Sequence, residues 1–318
     1  MYDKIINAGK ILNGIAHQTP VLTSSQLNNK ITGKVFLKCE NFQRIGAFKF
    51  RGAYYAIYNL NEKQKKRGII TYSSGNHAQA VALSSAMLGC KATILMPKDA
   101  SHVKVNAVRG YGADIIFYDR FHEDRSMICR ELVEQKGYTF IPPYDHVDII
   151  AGQGTVAKEL FDYVEDLDYL FVPCGGGGLL SGCSIVARAI SPLCRVIGVE
   201  PTVSNVGTQS FNTGTIQRIV APTSIADGLN SVTIGDLTFP IIQKNVDHFV
   251  NVTESQIINA MYFLWTRMKI VAEPSGATTI AAIMYGGLPL KNKRVGAVIS
   301  GGNVDILKLL PMLQQYLG

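Results

Sequence analysis

Short apolar runs separated by amphipathic stretches recur along most of the 318-residue chain, and this alternation most restricts the folds open to it. Strands are predicted at 35–38, 69–72, 92–96, 114–118, 169–172, 196–199 and 295–299, and helices at 78–88, 123–136, 155–164, 179–190 and 254–268. Strand–helix alternation of this kind predicts an α/β fold, doubly wound, with mainly parallel sheets covered on both faces. A chain of this length buries a large core and usually divides into two lobes. The βαβαβα series from about Gly68 to Phe140 ends where Ile141-Pro142-Pro143-Tyr144 breaks the pattern. A smaller lobe at 59–145, closing over a site, is therefore expected within a larger one made of 1–58 and 146–318. No repeat or low-complexity segment interrupts this plan.

Bulk properties exclude several function classes. Hydrophobic residues make up 47% and charged residues 17%, a globular rather than disordered composition. No stretch approaches the roughly 18 uninterrupted apolar residues of a membrane span. The first 20 residues contain an acid and lysines but no continuous apolar run before a cleavage site. They read as a first helix rather than a signal peptide, which points to a cytoplasmic setting. Cys39, Cys90, Cys129, Cys174, Cys183 and Cys194 are scattered, without CxxC or histidine spacing, and read as reduced core thiols. The net charge of +7 is dispersed. Its one dense run, Lys63 to Arg67, closes a helix before Gly68, where cations are favoured. Nucleic acid is not the expected partner.

In an open parallel sheet, ligands bind beyond the carboxyl ends of the strands. Three such segments carry chemistry. Cys174 is followed by Gly175-Gly176-Gly177-Gly178-Leu179, after the strand at 169–172 and before a helix. Four glycines let backbone amides converge on an anion at a helix N-terminus, although a bare turn is the plainer alternative. A dinucleotide fold is the rival, with Glu200 where a ribose-binding acid would sit, but no GxGxxG placement fits because Leu180 and Ser181 fill the third-glycine slots. GxxxxGK[ST] is also absent. Ser73-Ser74-Gly75-Asn76-His77 precedes the helix at 78–88 and suits either a carboxylate clamp or a simple N-cap. Lys49 stands between Phe48 and Phe50 in a stretch low in charge, where desolvation would lower its pKa and free the amine for covalent chemistry. A solvated surface lysine is the alternative. Together the three supply an amine, a phosphate cradle and a carboxylate clamp.

ENFQRIGAFKFRGA (40–53), SSGNHAQA (73–80), AGQGT (151–155), PCGGGGLLSG (173–182), VIGVEP (196–201), IADG (225–228), RMKIVAEPSGA (267–277) and SGGNVD (300–305) resemble, in order and along nearly the whole chain, the serine/threonine dehydratase and serine racemase family. These are pyridoxal 5'-phosphate (PLP) enzymes of fold type II, tryptophan synthase β-like. The resemblance implies that Lys49 carries PLP through its amine and later takes the substrate α-proton. It implies that Phe48 packs on the cofactor ring, that Asn76 bonds its phenolic oxygen, and that Gly175, Gly176, Gly177, Gly178 and Leu179 donate amides to its phosphate. Ser300 would meet the pyridine nitrogen with a hydroxyl, which favours elimination over transamination. Ser73, Ser74, Asn76 and His77 would line the substrate carboxylate site, with Ser74 where racemising members keep a second acid/base. The implied reaction is α,β-elimination of water and ammonia from L-serine, L-threonine or L-threo-3-hydroxyaspartate. The alternatives are racemisation, or β-replacement of the cysteine synthase type. His77 and the Phe48-Lys49-Phe50-Arg51 context argue against the latter. A non-catalytic sensor would be expected to lack the lysine or the glycine loop, and both are present.

Arg125 and Ser231 match positions that bind a distal carboxylate in dicarboxylate-handling members, which leans the substrate towards hydroxyaspartate. Read without the resemblance, Arg125 is a solvated helix residue near Glu123, Asp124 and Glu131. Racemase-like members also hold Mg²⁺ or Ca²⁺. Glu200 and Ser204 align with two of those ligands, but Val206 replaces the aspartate, so weak or no metal binding is expected. Gln79, Lys269 and Asn303 match positions that contact ATP or AMP in some members, and a homodimer is the family's usual assembly.

Overall fold

The computed structural model describes residues 1–100, 102–220 and 222–317. Its strands form two sheets. The first elements are α1 (Tyr2–Leu12), β1 (Val21–Leu22), α2 (Ser25–Ile31), β2 (Lys34–Cys39), α3 (Lys49–Tyr58) and α4 (Glu62–Arg67). Next come β3 (Ile69–Tyr72), α5 (Asn76–Met87), β4 (Ala92–Pro97), α6 (His102–Gly110), β5 (Asp114–Tyr118), α7 (Arg125–Lys136) and β6 (Thr139–Phe140). The chain continues through α8 (Val147–Tyr163), β7 (Tyr169–Pro173), α9 (Gly178–Ile190), β8 (Arg195–Pro201), α10 (Val206–Thr213), α11 (Thr238–Asn245) and β9 (His248–Val252). It closes with α12 (Glu254–Phe263), α13 (Pro274–Tyr285), β10 (Arg294–Ile299) and α14 (Ile306–Leu317).

The larger sheet has six strands in the order β1-β2-β10-β7-β8-β9, and the smaller has four in the order β5-β4-β3-β6. All pairings are parallel except β1 with β2. Parallel strands are covered on both faces, which is why they read as unbroken apolar runs. Every residue of β7 is buried. Phe171, Ile197, Val295, Ala297 and Ile299 pack towards Ala277, Ile280 and Ala281 of α13. Their alternates Leu170, Val172, Val196 and Val298 pack towards Val156 and Leu160 of α8 and Leu180 and Val186 of α9. The smaller sheet repeats the device: Ile69, Ile94 and Met96 face Ala78 and Val81 of α5, while Ile70 and Leu95 face Cys129 of α7.

Several expectations need correction. The segment at 40–52 is only partly loop, because Lys49 opens α3. That helix buries nearly every residue from Phe50 to Ile57, so it shows no amphipathic stripe. AGQGT lies inside α8, which begins at Val147 rather than residue 155. Its glycines serve contact rather than turning: a Cβ on Gly152 would lie 2.6 Å from the Arg51 carbonyl, and one on Gly182 of α9 would lie 2.5 Å from that of Ile150. The helix expected at 254–268 is α-helical only to Phe263; Leu264–Met268 is a π turn ending on Lys269, whose φ is +61°. The helix expected from residue 123 starts at Arg125, capped by Asp124, whose side chain accepts from Ser126 N. The edge strands β1, β6 and β9 were not foreseen.

A charged cluster ties α3 to the larger sheet. Arg51, fully buried, donates to Glu40 at 2.8 and 2.9 Å and to Glu159 at 2.6 and 2.8 Å. Lys38 adds a 2.6 Å bond to Glu159, and Thr19 donates to Glu40 at 2.6 Å. All six cysteines are free thiols. Among the described residues no helix is long and apolar enough to cross a membrane.

Candidate active site

Strand order places the site. β2, β10 and β7 are neighbours, so the segments leaving their carboxyl ends (to Lys49, at Ser300, and through the glycine run) emerge side by side. The junction is fixed by backbone contacts: Phe48 N donates to the Ser300 carbonyl at 3.1 Å, and Ala47 bridges Gly301. Lys49 is half-buried, with its amine 2.5 Å from the Pro143 carbonyl and 5.3 Å from the Phe48 ring centre. Burial without a compensating carboxylate lowers its pKa to about 8.

The glycine run is close-packed. A Cβ on Gly176 would lie 2.3 Å from the Tyr144 ring, and one on Gly178 would lie 2.8 Å from Gln153 Oε1. Gly177, with φ of +94°, caps α9. The segment after Ser231 is strapped to this run: Gly235 N and Thr238 Oγ1 both donate to the Gly176 carbonyl, at 3.2 and 2.8 Å. A Cβ on Gly175 would lie 3.1 Å from Ser231 Oγ.

The smaller sheet delivers the third part from the end of β3. Asn76 Nδ2 donates to Glu273 Oε1 at 2.7 Å, and its Oδ1 accepts from Asn303 Nδ2 at 2.8 Å. Ser73 Oγ accepts from Gly75 N, while the Ser74 hydroxyl has no partner among the described residues. His77 is buried and its Nε2 bonds the Ile141 carbonyl at 3.0 Å. Burial, then the nearby Lys49 charge, lowers its pKa to about 3, so the ring is neutral and Nδ1 is left as an unpaired acceptor. Arg125 lies over the Tyr72 ring at 4.9 Å, beside this loop.

A family model described as pyridoxal-phosphate dependent enzyme matches residues 12–301. The chain belongs to the pyridoxal-phosphate dependent enzymes. It is 51% identical to a serine racemase of Schizosaccharomyces pombe, over 99% of this chain and 97% of that one. It is 47% identical to an L-threo-3-hydroxyaspartate ammonia-lyase of Saccharomyces cerevisiae, over 98% and 96% respectively. The crystal structure of a Dictyostelium discoideum serine racemase superposes with a TM-score of 0.90 at 43% identity, covering 96% of this chain and 99% of that one. The fold is therefore type II of this family, and the cofactor is PLP.

The residues present fit that cofactor. The bend has no room for a side chain, the amine is desolvated, and the buried Gln153 carboxamide leaves both Nε2 and Oε1 without a partner beside Gly178. An enclosed amine has a consequence that can be measured. Only the neutral form attacks an aldehyde, so colour formation on adding PLP to the cofactor-free protein should accelerate through about pH 8 and level off above it. A midpoint near the ordinary lysine value of about 10.4 would contradict the enclosure.

The proposed divalent cation does not fit. Glu200 accepts from Gly207 N at 2.9 Å, Thr208 N at 2.7 Å and Thr208 Oγ1 at 2.8 Å, so its carboxylate closes the first turn of α10. At the other two positions Ser204 would offer only its backbone carbonyl, and Val206 is a buried apolar side chain. Mg²⁺ and Ca²⁺ require several oxygen ligands, and here the one carboxylate is engaged by three donors. Among the described residues no cluster of three or more His, Cys, Asp or Glu is placed to hold a metal.

Of the suggested nucleotide positions, Asn303 is bonded to Ile45 and Asn76, Gln79 is buried one turn into α5, and Lys269 is exposed. Gln153, Tyr144 and Glu273 lie inside AGQGT, IPPY and RMKIVAEPSGA, where nothing in the residue pattern marks them as site residues. Glu273 is buried, and burial followed by the Asp227 charge pushes its carboxyl up to about 8.

Proposed function

We propose that this protein is an ammonia-lyase that removes water and ammonia from a β-hydroxy amino acid to give a 2-oxo acid. One observation carries the reading: a desolvated amine at Lys49 stands among the glycine bend, Ser300 and the Ser73–His77 loop. When bound, PLP supplies the electron sink that acidifies the substrate α-carbon.

The protein's residues do the rest. Amides of Gly175, Gly176, Gly177, Gly178 and Leu179, with the N-terminus of α9, hold the phosphate. Phe48 would flank the ring, Asn76 would bond its phenolic oxygen, and Ser300 would offer a hydroxyl to the ring nitrogen. Ser73, Ser74, Asn76 and His77 surround the substrate carboxylate. The amine of Lys49 takes the α-proton and can return it. As that proton leaves, the β-hydroxyl departs with a proton as water, and the released enamine hydrolyses to the 2-oxo acid and ammonia.

Arg125 and Ser231 favour a second carboxylate on the substrate, making L-threo-3-hydroxyaspartate preferred over L-serine and L-threonine. Oxo-acid release from the three substrates tests this. Arg125→Ala should lower kcat/KM for hydroxyaspartate by about tenfold or more while changing serine by less than about threefold. Equal losses would remove the case for a dicarboxylate, and no oxo acid from any of the three would overturn the ammonia-lyase reading.

A second reading, racemisation, is favoured by the unpartnered Ser74 hydroxyl and by the likeness to the yeast racemase. D-serine formed from L-serine would establish it. We further infer a small lobe at 59–145 that closes on the larger one, supported by the separate four-stranded sheet. A homodimer is supported by the exposed Phe42 and Val271, held near each other by the Asn41 to Val271 bond. A nucleotide effector near Asn303 is supported by the bond from that residue to Asn76. Six free thiols suit a cytoplasmic setting.

A further inference from the structure

Arg218 has no role in the site as described so far, yet the fold brings it to the rim. It forms an isolated antiparallel bridge with Thr233, flanked by a 3.0 Å bond from Ile219 N to the Val232 carbonyl. Thr233 belongs to the strap that runs from Ser231, beside Gly175, to Gly235, bonded to Gly176. Tyr144, whose ring lies on Gly176, points its hydroxyl to the Thr233 carbonyl at 3.5 Å. Arg218 therefore sits across one bridge from the glycine bend. Arg125 lies over the neighbouring Tyr72 ring; burial raises the pKa of the Tyr144 hydroxyl, and the charges of both arginines oppose that rise.

Neither guanidinium forms an ion pair among the described residues. The acids nearby are engaged. Asp145 accepts from the amides of Asp236, Leu237 and Thr238, and Asp227 is paired with Lys104. Two exposed arginines without an ion pair, one beside the Ser73–His77 loop and one across a bridge from the Ser231–Gly235 strap, can together receive an anion at the rim. A carboxylate has about four lone-pair sites, enough for one bidentate guanidinium and a second partner.

We propose that Arg218 is a specificity-determining residue that binds the distal carboxylate of a dicarboxylic substrate together with Arg125. This rests on the hydroxyaspartate preference given above and adds a second cation to it. Being anchored on the larger lobe, Arg218 gives a dicarboxylate an additional contact there that a monocarboxylate lacks.

The test is steady-state kinetics of the PLP-loaded enzyme with L-threo-3-hydroxyaspartate and L-serine, for wild type, Arg125→Ala, Arg218→Ala, Arg218→Lys and the Arg125→Ala/Arg218→Ala double variant. Arg218→Ala should lower kcat/KM for hydroxyaspartate by about tenfold or more, mainly through KM. Serine, with no second carboxylate to meet Arg218, should change by less than about twofold, and Arg218→Lys should recover part of the loss. A merely structural residue would reduce both substrates together, and that result overturns the proposal. Unchanged hydroxyaspartate kinetics in Arg218→Ala, with Arg125→Ala impaired, overturns the proposal alone. A wild type that does not convert hydroxyaspartate overturns the substrate preference and this proposal with it.

Discussion

Replacing Lys49 with alanine is expected to give a folded protein that stays colourless with PLP and turns over substrate about 10³-fold more slowly or worse. Two losses combine: the amine that attaches the cofactor and the base that moves the α-proton, and a positioned acid or base alone contributes roughly 10²–10⁴-fold. Folding should survive, because the amine is desolvated and makes one described hydrogen bond, to the Pro143 carbonyl. Absorbance after incubation with PLP, oxo-acid release and circular dichroism read the three parts separately. A yellow adduct that persists in Lys49→Ala would mean that another amine carries the cofactor.

The largest effect on stability is expected at Arg51, two residues further along α3. Arg51→Ala removes the cation that bonds Glu40 and Glu159 and leaves Glu40, fully buried, with only Thr19 described as a close hydrogen-bond donor. Breaking a buried pair in this way costs about 3–5 kcal/mol, because Glu40 loses its bidentate partner and keeps only the charge of Lys38. The sign with pH follows from Glu40. Burial, the largest influence, opposes its charge, but the Arg51 guanidinium together with Lys38 and Thr19 holds the carboxyl below its ordinary value. A depressed folded pKa contributes stability that is complete above the unfolded value of about 4.3 and is lost as pH falls through the folded value. Wild type and Arg51→Ala should therefore differ most near neutral pH, with the gap narrowing below about pH 4.3. Denaturant midpoints at several pH values test this. A difference under about 1 kcal/mol at neutral pH would show that the cluster is not a structural clamp.

Each expected effect traces to a different kind of legibility. The desolvated Lys49 amine and the close-packed glycine run at the start of α9 are legible from residue type and position after strands, because both depend on local neighbours. The strands β3 and β5 were bounded as observed, since parallel strands buried on both faces write themselves as apolar runs. The helix α3 was missed because burial on all sides erases the amphipathic period, and the start of α8 was missed because glycines that permit close helix packing look like loop residues. The metal position was half-read. Val206 marked a missing ligand, but only the fold shows Glu200 turned to close the first turn of α10.

What the sequence determined by itself was the set of groups available: an α/β framework, a lysine amine, a four-glycine run, a Ser/Asn/His loop and a family. Tertiary structure decided which groups meet. Gln153 reaches Gly178, Tyr144 covers Gly176, Glu273 pairs with Asn76, and the charges of Arg125 and Arg218 both act on the Tyr144 hydroxyl. The physical reason is range. Capping, periodicity and turn chemistry act within a few residues, whereas Asn76 and Glu273 lie 197 residues apart and are joined only by packing of the completed sheets.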